Sequence, residues 1–278
     1  MPLKATSVLL LTVMLLVGCA AVHPGVMTDR AGWVIHREFL QHRQNTRKKI
    51  EVFWTKPVEQ GPWPAVLFIH GHQEGPREGG EALISRGRLG IMASRGYVAA
   101  SVSQPGYGNS DGPPDFCGPF TQEAVLVAIE FLRKQPFVHP HKVALLGYSR
   151  GAIVASMVAT QDPQLAAVVV GAGAYNLFSW YPTPLPGIDA NIEQEGGTSP
   201  EAFRARSAID HVDKIKAPIL LLHGANDGRI PVRQAEAFYE KLAAAGRVAR
   251  MKILNAGHGI PIGEQYREIY PFLEEFLR

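Results

Sequence analysis

From about residue 50 onward, short apolar runs alternate with segments of helical spacing, and this alternation constrains the fold most. The runs are continuous in Val, Ile, Leu and Ala, which is typical of strands buried on both faces of a parallel sheet. Strand–helix alternation of this kind predicts a doubly wound, mostly parallel α/β sheet. The predicted strands are Ala65 to Ile69, Tyr97 to Val102, Val143 to Leu146, Ala166 to Val170, Ile219 to Leu222 and Met251 to Leu254.

Apolar residues at helical spacing occupy the segments between these strands. A cap or a glycine stop marks two of the segments, and a proline interrupts the last. The predicted helices are Phe120 to Phe131 with Thr121 as a cap, a helix through Val154 and Val158, Pro231 to Ala245 before Gly246, and a C-terminal helix through Ile269 and Phe276 that Pro271 starts or kinks.

One segment departs from this rhythm. Residues Tyr175 to Ser199 lie between two predicted strands and are rich in Pro and Gly. The segment is too short to build its own hydrophobic core. We therefore predict a small lid-like insertion within a single catalytic domain, which we place at residues 50–278.

Composition excludes several classes of protein. Hydrophobic residues make up 46% of the 278 residues, so enough apolar surface exists to offset the entropy of folding, and disorder is excluded. The formal net charge is only +3. The densest basic stretch, Arg43 to Lys49, is predicted to be a solvated loop before a strand. We therefore expect no nucleic-acid partner.

The N-terminus has the pattern of an export signal. Lys4 precedes an apolar run from Val8 to Val17, which is short for a spanning helix. The following Leu16-Val17-Gly18-Cys19 resembles the lipobox of bacterial lipoproteins. That resemblance implies a signal peptide over residues 1–18, acyl chains on Cys19 that tether the protein to a membrane, and a spacer and N-terminal segment over 19–49. Ala20 favours the outer membrane or cell surface as the destination, and an ordinary signal peptide is the alternative.

Cysteine and histidine usage argues against disulfides and metals. Cys19 and Cys117 are the only two cysteines, and lipidation would use the first. The pairs His70-Gly71-His72 and His139-Pro140-His141 have no carboxylates beside them at metal-ligand spacing. We therefore expect neither a metal ion nor a cofactor.

The pattern Gly-x-Ser-x-Gly, typical of a nucleophile elbow, occurs twice. Gly147-Tyr148-Ser149-Arg150-Gly151 follows a predicted strand directly and precedes a helical pattern, so its serine would project from the end of the sheet. Gly108-Asn109-Ser110-Asp111-Gly112 lies in a loop before Pro113 and Pro114, where no helix begins at once. The context favours Ser149 as the nucleophile.

A serine hydroxyl needs a base to take its proton and a carboxylate to orient that base. Asp227 and His258 each follow a predicted strand, and they occur in the chain order Ser, Asp, His. Asp213 precedes its strand, and His223 adjoins a strand end where packing is the expected role. The sequence therefore predicts a triad of Ser149, Asp227 and His258.

Acyl transfer also requires donors for the developing oxyanion. The backbone N–H of Arg150, directly after the nucleophile, is one predicted donor. The second is expected from the loop after an early strand, and we assign it to the backbone N–H of Gln73, which has glycines nearby.

Four aromatic residues follow the strand Ala166 to Val170. They are expected near the sheet edge that carries Ser149, where they either line an acyl or aromatic pocket or pack the insertion onto the core. These residues are Tyr175, Phe178, Trp180 and Tyr181.

The chain from about residue 50 resembles the α/β-hydrolase superfamily, and within it the catalytic domain of the prolyl oligopeptidase family, with dienelactone hydrolases as relatives. The resemblance is most specific over residues 199–218 and over His223-Gly224 through Asp227 and Ile230-Pro231. It implies that Ser149 is the nucleophile, Asp227 the acid and His258 the base. Dienelactone hydrolases generally use Cys as the nucleophile.

Substrate class stays open at this point. Prolyl oligopeptidases usually carry a large N-terminal propeller, and the residues before 50 are too few to form one. A small-molecule ester and a short peptide are therefore both expected substrates. The alternative is a catalytically silent hydrolase fold that serves as a surface binding module, and labelling of Ser149 by a fluorophosphonate would separate the two.

Overall fold

The structure is a computed structural model that describes residues 25–278. In this part of the chain, nine strands form one sheet in the order β1-β2-β3-β5-β4-β6-β7-β8-β9. The strands are β1 (Gly25–Thr28), β2 (Val34–His42), β3 (Asn45–Thr55), β4 (Trp63–Ile69), β5 (Val98–Val102), β6 (Val138–Tyr148), β7 (Ala167–Gly171), β8 (Ile219–Gly224) and β9 (Ala249–Leu254).

The sheet is mostly parallel, as predicted. Strands β5, β4, β6, β7, β8 and β9 pair in parallel, and all six contain the apolar runs identified in the sequence. Because these strands run the same way, the loops after β4, β6, β8 and β9 leave the same edge of the sheet. That edge carries every residue of the predicted triad.

Three antiparallel strands at one side of the sheet differ from the sequence prediction. β1, β2 and β3 pair antiparallel with one another, and β3 pairs antiparallel with β5. Within residues 25–278, strands of the sheet are therefore already present from Gly25, ahead of the predicted domain start at residue 50. Arg43 and Gln44 form the turn between β2 and β3, and Asn45 to Lys49 are the solvent-exposed start of β3 and not a loop. The strand was not predicted because its exposed first half is rich in charged residues, and only its second half, Ile50–Thr55, is buried.

Helices cover both faces of the sheet and form two separate apolar layers. One layer buries α3, α4 and α8 against the sheet, and the other buries α1, α2 and α9. The helices are α1 (Glu81–Ser85), α2 (Arg88–Ala93), α3 (Pro119–Arg133), α4 (Arg150–Ala159), α5 (Leu177–Trp180), α6 (Pro186–Asn191), α7 (Pro200–Arg204), α8 (Arg233–Ala244) and α9 (Ile262–Leu277).

Two predicted helix ends are corrected by the structure. Thr121 is not the cap of α3, because Gly118 precedes the helix and the carboxylate of Asp115 accepts hydrogen bonds from the backbone N–H groups of Phe120 and Thr121. Pro271 does not start the last helix, since α9 runs from Ile262 through it. A buried apolar face of α9 offsets the hydrogen bond that the proline cannot donate.

The segment predicted as an insertion is largely helical. It contains α5, α6 and a single π-helical turn, Ile192–Gly196, between β7 and α7. Ile192 is fully buried in the larger apolar layer, so the segment is packed onto the core.

None of the helices in residues 25–278 is long and apolar enough to cross a membrane.

Candidate active site

Ser149 lies at the turn between β6 and α4, with a backbone φ of 55° and ψ of −121°. A positive φ is uncommon for a residue with a side chain, so this turn is strained. The glycines on either side permit it: a Cβ on Gly147 would collide with the carbonyl oxygen of Gly151, and a Cβ on Gly151 would collide with that of Ile69. Glycine is therefore required on both sides of Ser149 because neighbouring backbone comes too close for a side chain, as the elbow pattern predicts.

The structure brings together the three residues of the predicted triad. The His258 Nε2 atom is 2.9 Å from the Ser149 hydroxyl oxygen, and the His258 Nδ1 atom is 2.8 Å from Oδ2 of Asp227. These distances fit a serine that donates to Nε2 and an imidazole that donates from Nδ1 to the carboxylate. The arrangement has the geometry needed to move a proton from the serine to the imidazole.

Asp227 is held by more than His258. Its Oδ1 atom accepts hydrogen bonds from the backbone N–H groups of Arg229 and Ile230, each at 2.9 Å. Burial by itself would raise the pKa of Asp227, but hydrogen bonds from His223, His258 and the Ile230 backbone outweigh it and bring the pKa well below its usual range. The carboxylate is therefore ionised at neutral pH and available to orient the imidazole.

Two supporting residues were not predicted as part of the site. His223 is fully buried, and its Nε2 atom lies 2.8 Å from the carbonyl oxygen of Ile230 and 3.3 Å from Oδ2 of Asp227. The Tyr148 hydroxyl donates to the carbonyl oxygen of His258 at 2.6 Å and accepts from the Ile260 N–H at 3.0 Å. These contacts fix the acid and the histidine loop, and no motif spacing in the sequence indicates them.

The loop after β4 passes directly beside the serine. The position of a Cβ on Gly71 would lie 3.4 Å from the Ser149 Cβ. The Gln73 side chain bonds both backbone groups of Gly79, at 3.0 Å and 2.8 Å, which stabilises the loop conformation. His72, which the sequence analysis did not select, lines the larger cavity at the serine.

The predicted oxyanion donor that directly follows the nucleophile lies at the start of α4. Arg150 is the first residue of that helix, where backbone N–H groups have no partner within the helix. Its buried guanidinium lies between the rings of Tyr107 and Phe116 and is 2.7 Å from a Glu195 carboxylate oxygen. The residue after Ser149 is thereby tied to the π-helical turn of the insertion.

A cavity of about 540 Å³ opens at Ser149 and His258. Of the four predicted pocket aromatics, only Trp180 lines it. Tyr175 is buried in the core and stacks on Phe238, which corrects its predicted place in the pocket. Further apolar lining comes from Phe116, Ile153, Leu185, Pro186, Ile188 and Ile230.

The remaining two aromatics pack within the insertion region. Phe178 and Tyr181 both contact the ring of Phe203 edge-on, and the Tyr181 hydroxyl donates to Glu193 at 2.7 Å. Their predicted role in the pocket is therefore corrected to packing and surface contacts. Their position in the chain, after a strand that ends near Ser149, predicts aromatic residues near the site. The path of α5 and α6 decides which of these rings line the cavity.

The alternatives set aside in the sequence lie away from this constellation or have structural roles. Ser110 is buried, and its hydroxyl donates to the Ser103 carbonyl at 2.6 Å while it accepts from the Glu51 N–H at 2.9 Å. Asp213 lies in the 3₁₀ segment Ala208–Lys214, ahead of β8.

The histidine pairs and the cysteine of the described chain show no metal-binding arrangement. Among residues 25–278, no group of three or more His, Cys, Asp or Glu side chains is placed to hold a metal ion. His70 accepts from the Gln104 N–H and lies 2.8 Å from the Gly71 carbonyl, and burial lowers its pKa to about 4. Burial raises the pKa of the Cys117 thiol to about 12, so it is not a competing nucleophile. Cys19 lies outside the described residues.

Two family models match the sequence. The model of the prolyl oligopeptidase family matches residues 117–278, which is more than half of the chain and includes all three triad residues. A model described as X-Pro dipeptidyl-peptidase (S15 family) matches residues 45–184. Both matched ranges contain the turn at Ser149.

Curated relatives include both peptidases and an esterase. The uncharacterized peptidase YtmA of Bacillus subtilis is 27% identical over 198 residues, which cover 70% of this chain and 75% of that protein. Esterase LipC of Mycobacterium tuberculosis is 26% identical over 252 residues, covering 82% of this chain and 60% of that protein. Two other curated peptidases are matched over only 31% and 29% of their length.

Solved structures share the fold. The uncomplexed acylaminoacyl peptidase of Pyrococcus horikoshii aligns with a TM-score of 0.73 at 21% identity, over 90% of this chain and 47% of that one. The chain thus spans about half the length of that peptidase. Identity at this level relates the two by fold alone.

Proposed function

This chain belongs to the prolyl oligopeptidase family and is a serine hydrolase, and we propose that it cleaves ester or peptide bonds through an acyl-enzyme formed on Ser149. The observation that carries the proposal is the continuous hydrogen-bonded set Ser149–His258–Asp227, with distances of 2.9 Å and 2.8 Å, at the edge of a cavity of about 540 Å³. A nucleophile beside an oriented base is the arrangement that acyl transfer requires.

The proposed first step forms the acyl-enzyme. The Ser149 oxygen attacks the carbonyl carbon of the substrate while its proton passes to His258 Nε2, and Asp227 stabilises the resulting imidazolium. Collapse of the tetrahedral intermediate breaks the ester or amide bond, and His258 returns the proton to the leaving alcohol or amine. Water then attacks the acyl-enzyme with His258 as the base, which regenerates Ser149 and releases the acid.

Oxyanion stabilisation is assigned to two backbone N–H groups. The first belongs to Arg150, at the start of α4. The second comes from the loop after β4, where Gln73 is the predicted donor and His72 is the neighbouring candidate because it lines the cavity of about 540 Å³. Gly71 supports this assignment, because its lack of a side chain lets the loop approach Ser149 closely.

The acyl group is proposed to bind in this larger cavity, with Trp180 as a wall. Trp180 is almost fully buried, and its Nε1–H donates to the Arg229 carbonyl at 3.1 Å. Replacing Trp180 with Ala should change which ester chain length gives the highest kcat/KM, because removing the indole ring enlarges the cavity. A lower melting temperature with an unchanged ranking would assign Trp180 to packing alone.

Covalent labelling tests the proposed function directly. A fluorophosphonate probe should label the wild-type protein and fail to label Ser149→Ala, because the probe requires an activated serine. Ser110→Ala serves as the matched control and should label as the wild type does. Absence of labelling in correctly folded wild-type protein would favour the silent binding module.

We also propose that acyl chains on Cys19 anchor the protein to a membrane after export. The lipobox-like Leu16-Val17-Gly18-Cys19 supports this location, and two or more chains bind membranes firmly where one does not. Cys19→Ser should move the protein from the membrane fraction into a soluble or unprocessed form. Wild-type protein that is soluble and carries no lipid on Cys19 would contradict the proposal.

A further inference from the structure

A second cavity, of about 330 Å³, meets the first at the triad. Ser149 and His258 line both cavities. The wall of the second cavity includes Gly259 and Ile260, which continue the histidine loop, and residues at the junction of α1 and α2. Any group that binds there lies within reach of the reacting atoms.

Three arginines converge on this second cavity. Arg86 follows α1, Arg88 begins α2, and Arg229 lies in the loop after β8. No Asp or Glu is among the described residues that line the cavity. None of the three guanidinium groups forms an ion pair within residues 25–278. Three cations without a carboxylate among them make this wall of the active site electropositive.

The positive charge does not depend on histidine protonation. His70 and His72 also line the cavity, and burial lowers the pKa of each. Both imidazoles are therefore neutral near pH 7, whereas guanidinium groups stay charged throughout the working range of an enzyme. Arg88 is further positioned by Tyr266, whose ring centroid is 5.5 Å from its Cζ atom.

The chemistry of the triad assigns the two cavities to the two halves of the substrate. Apolar side chains such as Trp180 and Leu185 line the larger cavity, which shares Arg229 with the second cavity but also has Glu74 in its wall, so it suits an uncharged acyl group. The leaving group must lie beside His258, which returns the proton to it, and the loop His258–Ile260 forms a wall of the second cavity. We propose that this cavity binds a leaving group that carries a negative charge, held by Arg86, Arg88 and Arg229.

This proposal rests on the proposed function, and it adds the chemical class of the leaving group. A carboxylate and a phosphate are the two anionic groups that guanidinium recognises best, through paired N–H donors. A short peptide cleaved near its C-terminus would present a carboxylate, and an ester of a phosphorylated alcohol would present a phosphate. The two sources share one recognition chemistry and are separated by the substrates below.

The kinetic test uses three butyrate esters that differ in the charge of the leaving group. The leaving groups are 4-hydroxybenzoate, 4-hydroxyphenyl phosphate and the neutral, nearly isosteric 4-hydroxybenzamide. For each protein, kcat/KM of each anionic ester is divided by that of the benzamide ester, so that a general change in activity cancels. The proteins are the wild type, Arg86→Gln, the triple variant Arg86→Gln/Arg88→Gln/Arg229→Gln, and Arg204→Gln as a matched control, since Arg204 is exposed and lines neither cavity.

We expect the anionic-to-neutral ratio to fall by about 2–5-fold in Arg86→Gln and by about 10-fold or more in the triple variant, because each exposed cation contributes modestly. The ratio in Arg204→Gln should match that of the wild type. In wild-type protein the ratio should fall as salt rises from about 0.02 to 0.5 M, because salt screens exposed charges. The anionic ester whose ratio falls more in the triple variant identifies the preferred source, because intrinsic leaving-group reactivity cancels in that comparison. Equal ratios in the wild type and the triple variant overturn the proposal.

A binding measurement keeps the proposal testable if no ester is cleaved. Titration of Ser149→Ala with 4-hydroxybenzoate, 4-hydroxyphenyl phosphate and 4-hydroxybenzamide, followed by NMR, should show tighter binding of an anion than of the amide. The preference should disappear when the three arginine substitutions are added. A retained anion preference with neither ester cleavage nor fluorophosphonate labelling would reject the proposed function alone, whereas ester cleavage without any anion preference would reject this inference alone.

Discussion

Ser149 and Ser110 stand at the centre of the same five-residue pattern, yet their surroundings have almost nothing in common. Ser149 sits on a strained strand-to-helix turn, and its hydroxyl faces an imidazole 2.9 Å away at a cavity. Ser110 sits in a loop, and its buried hydroxyl bonds two backbone groups. Gly108 has no room for a Cβ, and neither do Gly147 and Gly151, so a glycine beside a serine indicates a tight turn and not by itself a nucleophile.

The loop of Ser110 is organised around a buried acid. Glu51 pairs with Arg37 at 2.6 Å, accepts from the Ser103 hydroxyl at 2.7 Å and accepts from the Asn109 N–H at 3.0 Å. This network joins the antiparallel strand β3 to the loop after β5. Ser110 therefore stabilises the fold, and the comparison assigns chemistry to one serine and structure to the other.

Exchanging each serine for alanine gives the largest contrast. Ser149→Ala should lower kcat by roughly 10⁴–10⁶, because it removes the nucleophile while leaving the backbone of the turn intact. Hydrolysis of a chromogenic butyrate ester by purified protein measures this loss. Loss of activity in Ser110→Ala with activity retained in Ser149→Ala would reverse the assignment.

Asp227→Asn should have the next largest effect, about 10⁴-fold on kcat, because an amide can hold the histidine in the wrong tautomer. The Asn side-chain oxygen can still accept from the backbone N–H groups of Arg229 and Ile230, so the fold should survive. Circular dichroism alongside kcat separates the two effects. An activity loss below about 10-fold would indicate that Asp227 does not orient His258.

The pH profile separates the two serines in a second way. Only a neutral imidazole accepts a proton from Ser149, and histidines as a class change charge between about pH 5 and 8. We therefore expect kcat/KM to rise over this range, with Ser110→Ala giving the same profile as the wild type. A rate that does not change over this range would exclude His258 as the base.

Unfolding does not account for that rise. The lowered pKa of Asp227 adds stability that is fully present above the unfolded-state value of about 3.9 and is lost only as the pH falls toward the folded-state value. Its contribution is therefore constant between about pH 5 and 8. Thermal melts across the same range should show no change in Tm that is caused by this carboxylate. The difference in Tm between the wild type and Asp227→Asn should therefore be the same throughout this pH range.

Ser110→Ala should have the smallest effect on activity and a measurable effect on stability. The substitution leaves the Glu51 N–H and the Ser103 carbonyl without their hydrogen-bond partner in a buried site, which costs about 1–3 kcal/mol. For a protein of this size each kcal/mol lowers Tm by about 2–4 °C. Ser156→Ala, which removes a buried hydroxyl within α4 that bonds the Ile153 carbonyl, offers a matched comparison. An unchanged Tm in Ser110→Ala would show that the Ser110 hydroxyl does not stabilise the fold.

Much of this molecule is determined locally in the sequence. Five of the six parallel strands follow from continuous apolar runs, because only a strand covered on both faces needs them, whereas the edge strand β9 carries Arg250 and Lys252 and is partly exposed. Chain order and strand ends place Ser149, Asp227 and His258 at one edge of the sheet, since parallel strands align their carboxyl ends. The elbow is local in part, because Gly147 is required by the nearby carbonyl oxygen of Gly151, whereas Gly151 is required by that of Ile69 on β4.

Tertiary structure alone decided the features that depend on contacts between distant segments. β2 is only partly buried and β3 is exposed over its first half, so their place in the sheet is set by pairing with each other and by the pairing of β3 with β5. Tyr175 is separated from the pocket by its stack on Phe238, while Trp180 reaches the cavity through its bond to the Arg229 carbonyl. Arg86 and Arg88 of the second cavity flank Gly87 at one helix junction, whereas Arg229 comes from a loop about 140 residues further on, and no spacing in the chain relates it to them. Local sequence specifies which groups a segment carries, whereas packing in three dimensions decides which of those groups meet.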